Sequence, residues 1–142
     1  MKARVFFDTN PAHNCVRVEI PVAEGVFAEL PATAADVRFV DFSLLPSDRT
    51  FRNAWKSDLT VDMPKARNIQ RDTLRRLRQP ILERLDAEYL RAHETGNVIR
   101  MQVIAARKQE LRDVTIHPSI EAALTPPELK VAATDVISKA NP

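Results

Sequence analysis

The sequence predicts an α+β protein: a small N-terminal antiparallel β-sheet followed by a C-terminal helical hairpin with a long first helix. Three observations carry that reading. In the early chain Val16, Val18 and Ile20 alternate with Arg17 and Glu19, the period-two pattern of a half-buried strand. Further on, Leu74, Leu77, Ile81, Leu85 and Tyr89 step by three or four residues, which places them on one helical face. A very short link at Gly96 and Asn97 then precedes a second helical stretch, which favours an antiparallel pair.

Residues 1–45 form the expected β module. Ala3 to Phe7 is rich in β-formers, and the run from Asp8 to Asn14 after it is dense in turn residues. With Cys15 to Ile20 this makes a hairpin with one wet face, ended by Pro21 because a strand interior cannot spare an N–H. Val26, Phe27 and Ala28, just after Gly25, offer a short further strand. Val37 to Phe42 is another, with apolar residues on both faces. The sheet then has three or four strands and needs something packed on it, since an isolated hairpin is barely stable.

Residues 46–61 read as a connector, with Pro46, Asp48 and Asn53 beside two large aromatics, Phe51 and Trp55. Aromatics of that size in a loop pin it to a surface. Trp55 either staples the sheet to the long helix or forms a contact for a partner protein.

Residues 62–142 are expected as the helical hairpin plus a short C-terminal helix. Asp62 can cap the long helix, Pro64 sits where a missing N–H costs little, and Gly96 can close the end. Pro80 lies in the middle, where a proline costs roughly 3 kcal/mol, so the helix either kinks or breaks there. At about 1.5 Å per residue the element spans roughly 50 Å. The second helix runs from Val98 to about Asp113 with Met101, Ile104 and Leu111 inward and Arg107 and Lys108 outside that face. His117 and Pro118 stop it, and Ser119 to Leu124 adds a turn or two. Thr125, Pro126, Pro127 and Glu128 make a capping box that starts a terminal helix through Val131 to about Lys139, with the last residues frayed.

Composition narrows the chemistry. A chain of 142 residues holds one modest domain with a real core, and a net charge of +2 argues neither for nucleic acid nor for a membrane surface. No window of eighteen apolar residues occurs, and the N-terminal residues lack a secretory run, so a soluble cytoplasmic chain is expected. Cys15 alone makes neither an internal disulfide nor a metal site, and in a strand it is a small apolar filler. His13, His93 and His117 lie far apart, outside metal-ligand spacing. Gly25 and Gly96 are the only glycines, which excludes a glycine-rich phosphate loop. Glu83, Asp86 and Glu88 belong to a mixed-sign helix surface. No catalytic residue, metal or cofactor is expected.

One charge feature stands out. Lys65, Arg67, Arg71, Arg75, Arg76 and Arg78 crowd the first half of the long helix, with Asp72 the only acid among them. Arg67, Arg71 and Arg75 follow one another at i,i+4 and repel by a few tenths of a kcal/mol per pair. Such a row either matches an acidic partner or a nucleic-acid backbone, or is a solvated face that bears the repulsion. No aromatic interleaves it as a single-strand binder needs. Leu82 and Leu90 lie on a second face of the helix, which points to self-association or a partner. The candidate partner-binding residues are therefore Phe51, Trp55, Arg67, Arg71, Arg75, Arg78, Leu82 and Leu90.

From Pro46 to about Lys130 the chain resembles a group of small bacteriophage proteins. The stretches that carry the likeness run from Asp48 to Trp55, Val61 to Arg67, Leu85 to Ala92 and Ala106 to Val114. The last, with its Leu111-Arg112-Asp113 ending, is similar to phage tail assembly chaperone-like proteins, often encoded near tail-fibre genes. The resemblance implies a non-enzymatic virion-assembly protein acting through protein–protein contacts, as a tail assembly helper or a small accessory structural component. It implies other phage structural or tail proteins as partners, a homo-oligomer or ring-associated copies, and a place in the infected host's cytoplasm or the virion. It implies no active site and no membrane contact. The alternative is a basic nucleic-acid or regulatory binding module using the arginine row, a reading the near-neutral charge opposes.

Overall fold

A computed structural model describes residues 1–139. The fold is α+β, with a three-stranded antiparallel sheet followed by helices. The chain divides into two compact units, Met1–Ala66 and Arg67–Pro142.

In the first unit β1 (Lys2–Asp8), β2 (Cys15–Glu19) and β3 (Ala34–Asp41) lie in the order β2-β1-β3. The predicted hairpin is β1 with β2, in register Val5 to Val18 and Phe7 to Val16. Its turn is set by side chains. Asn10 N–H donates to Asp8 Oδ1 at 3.0 Å, and the Asn10 carbonyl accepts from His13 and Asn14 N–H at 2.9 and 2.8 Å. Asn14 takes φ 41°, a left-handed value that asparagine tolerates.

One sheet face buries Val5 and Val16 against Trp55, with Phe7, Val18, Val40, Leu45, Leu59 and Val61 around them. The expected connector therefore folds onto the sheet, and Phe51, Ala54 and Trp55 are all buried. Trp55 closes this face together with Val5 and Val16. A three-stranded sheet needs cover, and the nearest apolar residues downstream supply it.

The face expected to be wet is covered too. Arg4, 7% exposed, pairs with Glu19 and stacks over Phe27 at 5.0 Å, while Phe27 meets Phe39 edge-on at 5.4 Å. The same guanidinium donates to the Ala28 carbonyl oxygen. These contacts fix residues 26–28 as a cover, so the fourth strand does not form and only an isolated bridge joins Ala23 to Val26.

The helix α1 spans Met63–Glu94 without a break at Pro80, whose ring lies on the exposed side. Asp62 caps it as predicted, accepting from Lys65 N–H through Oδ1 at 3.2 Å. Gly96 closes it at φ 64°: its N–H reaches the His93 carbonyl at 3.0 Å and Asn97 N–H reaches Ala92 at 2.8 Å, a Schellman motif. Asn97 in turn caps α2 (Val98–Asp113) by accepting from Arg100 N–H. The pair is antiparallel, since Glu88 meets Arg100 at 2.8 Å while Arg78 reaches the far end of α2.

Leu85, Ala92, Ile104 and Leu111 form the hairpin core, flanked by Ile81, Leu82, Tyr89, Met101 and Ile137. The predicted stripe holds at Leu74, Ile81, Leu85 and Tyr89 and fails only at Leu77. Leu77 is 43% exposed, whereas Leu82 packs against the core. Arg107, expected outside the apolar face, is 6% exposed. A 3₁₀ turn (Val114–Ile116) follows α2, and His117 caps α3 (Pro118–Ala122) by accepting from Ser119 N–H. The capping box of Thr125 and Glu128 starts α4 (Pro126–Val131) as predicted. The terminal helix does not run on: it breaks at Ala132 and at Ala133, φ 61°, and restarts as α5 (Thr134–Ser138). The break lets both alanines bury, at 3% and 2% exposure, and frees a carbonyl that Gln70 takes. The expected frayed end falls on residues 140–142, outside the described residues.

Candidate interaction surface

The arginine row of α1 is the natural place to look for a site, and its geometry gives it a structural task. Arg78 Nη1 donates to the carbonyls of Leu111 at 3.0 Å and Arg112 at 2.5 Å, the last turn of α2. Arg71 Nε donates to the Thr115 carbonyl at 3.3 Å, inside the 3₁₀ turn. Arg67 reaches the carbonyls of Ile120, Glu121 and Ala123 at 3.2, 3.3 and 3.1 Å, around the end of α3. Both Arg67 and Arg71 also pair with the Glu121 carboxylate.

Two residues outside the predicted row complete the pattern. Gln70 Nε2 donates to Ala132 at 3.1 Å, just past α4, and Arg107 Nη2 donates to Val136 at 2.7 Å in α5. Each helix end after α1 thus has its carbonyls held by a side chain from α1 or α2. Helix C-termini leave unpaired carbonyls carrying partial negative charge, and cationic donors there are favourable. The close spacing of the arginines is offset by these carbonyl dipoles and by Glu121.

The remaining candidates lie elsewhere. Arg75 is exposed and bonds Asp72 at 2.6 Å on its own helix. Phe51 and Trp55 are each 4% exposed and offer no free face. Leu82 is half-buried in the hairpin core, and Leu90 is 62% exposed. Near Leu90 in sequence, across the hairpin turn, Val98 and Ile99 are exposed as well. Of the eight candidates, Arg67 and Arg71 share a partner, the Glu121 carboxylate.

The angular positions carry the signal that spacing alone missed. At about 100° per residue, Arg67, Arg71 and Arg78 fall within roughly 60° of Leu74 and Leu85. They are therefore on the buried side of α1, while Arg75 and Arg76 are not.

Four carboxylates are held below their ordinary range by hydrogen bonds. The Thr33 hydroxyl and then Asn10 N–H do so for Asp8, and the Ser57 hydroxyl for Asp36. The Thr60 hydroxyl and N–H act on Asp58, and the Leu124 and Thr125 N–H groups on Glu128. The causes at Asp58 and Glu128 are local, whereas Thr33 and Ser57 reach Asp8 and Asp36 from distant segments. Among the described residues no group of three His, Cys, Asp or Glu is placed to hold a metal, and no helix is long and apolar enough to cross a membrane.

What the fold defines is a small α+β protein. Comparison with protein-family models, with curated proteins and with solved structures finds no match for this chain.

Proposed function

We propose that this chain is a non-enzymatic bacteriophage virion-assembly protein acting through protein–protein contacts, as a tail assembly helper or a small accessory part of the particle. The phage setting rests on the resemblance between residues 46 and 130. The mode of action rests on one observation. The guanidinium groups of Arg67, Arg71 and Arg78 are committed to backbone carbonyls, while Leu90, Val98 and Ile99 around the hairpin turn stay exposed. Apolar side chains at a rigid helix turn suit a protein partner, and cations already bonded to carbonyls are poorly placed to track phosphates. That favours protein contact over the nucleic-acid alternative. The partners are then other tail or structural proteins, with copies of this chain as a homo-oligomer or around a ring, in the host cytoplasm or in the virion.

Protein analysis of purified particles and of tail assembly intermediates tests this. A resident component appears in particles at fixed stoichiometry, and a helper appears only on intermediates. Absence from both, together with a micromolar DNA or RNA complex that weakens steeply with salt, would overturn the proposal.

A further inference from the structure

We propose that the cavity between the turn after β2 and the paired ends of β1 and β3 is a docking site for a partner protein that presents an arginine or lysine beside an apolar side chain. The inference concerns the sheet unit alone and holds whether or not the chain serves a phage particle.

The cavity has a volume of about 670 Å³. Its walls include Pro21, Glu24 and Phe27 from the segment after β2, and Lys2, Phe39 and Asp41 from β1 and β3. That is several times the roughly 150 Å³ that admits benzene, room enough for a long side chain together with a neighbour.

Local structure fixes these walls. Val22 N–H donates to the Val26 carbonyl at 3.0 Å and Val26 N–H to the Ala23 carbonyl at 2.9 Å. The turn that carries Glu24 is thus closed on itself, with Gly25 at φ 75° supplying the left-handed residue. Phe27 is pinned by the Arg4 guanidinium at 5.0 Å and by the edge-on ring of Phe39 at 5.4 Å. Phe39 itself stays 58% exposed, and Val22 and Val26, next to lining residues in the chain, are exposed as well. An uncovered aromatic and two uncovered valines gathered at one cavity suit a protein partner.

Charge specifies what that partner carries. Arg4 is matched by Glu19 and adds no net charge there. The lining side chains then set two carboxylates, Glu24 and Asp41, against the one ammonium of Lys2. All three are exposed and form no ion pair among the described residues. Asp41 precedes a 3₁₀ turn (Phe42–Leu44) without capping it through its side chain. Lys2 lies directly across from Asp41 in the strand register, which leaves Glu24 as the carboxylate in excess. Unpaired carboxylates beside an aromatic ring favour a guanidinium or ammonium, which gains from the charge and from the ring face together.

Selection from a displayed library of random peptides on the full chain tests the proposal. The enriched sequences should share Arg or Lys with an apolar residue near it. A synthetic peptide of that consensus should shift the amide resonances of Gly25 and Phe39. The double variant Glu24→Gln with Asp41→Asn keeps side-chain shape at exposed positions and should weaken that peptide by about tenfold or more. Phe39→Leu keeps an apolar side chain without the ring and should weaken it as well, whereas Lys2→Met removes the competing ammonium and should tighten it. An acidic or uncharged consensus, no enrichment at all, equal binding to the double variant, or weaker binding to Lys2→Met would each overturn the proposal. So would arginine amide alone binding as tightly as the peptide, since the cavity would then take a small cation and not a protein.

Discussion

The two units use arginine with a different emphasis, although Arg4 also reaches the Ala28 carbonyl and Arg67, Arg71 and Arg107 also meet carboxylates. In the sheet unit a guanidinium meets a carboxylate across paired strands, Arg4 with Glu19 and Arg17 with Asp8. In the helical unit Arg67, Arg71, Arg78 and Arg107 meet backbone carbonyls. The reason lies in what each kind of structure leaves unpaired. Strands satisfy one another's backbone groups, so charged side chains are left to pair among themselves. A helix as short as α3, five residues, consists largely of ends, and its last carbonyls need donors from outside. Arginine, with five N–H groups and no acceptor, can serve several carbonyls together. The C-terminal layer of short helices is thus held by α1 and α2 more than by its own regularity.

The sharpest way to break this comparison is to remove the apolar keystone of the sheet unit. Trp55→Ala should destabilise the protein by about 3–5 kcal/mol, because the buried indole packs with Val5 and Val16 on the sheet face. Denaturant unfolding followed by far-UV circular dichroism and by proteolysis of 1–66 reads the loss. An unchanged midpoint with intact resistance to protease would place Trp55 outside the sheet's core.

A smaller effect separates structural arginines from surface ones. Arg78→Met strips two carbonyls at the end of α2 of their donor and should cost about 1.5–3 kcal/mol, the range for hydrogen bonds to charged groups. Arg75→Met removes an exposed pair on the same helix and should stay within about 0.5 kcal/mol. Equal losses in the two variants would dissolve the contrast between the units, since the row would then act only through its summed charge.

Much of the fold was legible because local rules settled it. Period two placed β2 and a run of β-formers placed β1, the Asp62 cap and Gly96 bounded α1, and Thr125 with Glu128 opened α4. What escaped depended on contacts distant in sequence. Phe27 reads as a strand residue until Arg4 and Phe39 claim it, and no local signal at Ala133 announces that α4 stops there. The candidate site was legible as a row of arginines and illegible as to purpose. Repulsion at i,i+4 is visible in a sequence, whereas the carbonyls that offset it belong to helices roughly forty to fifty residues away. Projecting the row onto the helix beside Leu74 and Leu85 would have shown those arginines facing inward.

The smallest effect concerns how each unit holds a carboxylate. Glu128 accepts from Leu124 N–H at 2.9 Å and Thr125 N–H at 3.3 Å, and those two bonds keep its carboxyl below the ordinary glutamate range. Asp8 is lowered chiefly by the Thr33 hydroxyl at 2.7 Å and then by Asn10 N–H at 3.0 Å. In both cases the folded protein binds its proton more weakly than the unfolded chain. The stabilisation is therefore complete above the unfolded value, near pH 4, and is lost as pH falls through the lowered folded value. Glu128→Gln and Asp8→Asn should each flatten part of the acid limb of stability, and each should differ from the parent more at about pH 7 than at about pH 2.5. Asp8→Asn should do so more strongly, because Asp8 is buried and holds Arg17 as well, while the Glu128 cap is open to water. Urea unfolding of the three proteins across that range measures both slopes. A larger effect at Glu128 than at Asp8 would mean that the helix caps, and not the sheet's charge pairs, set the acid stability of this chain.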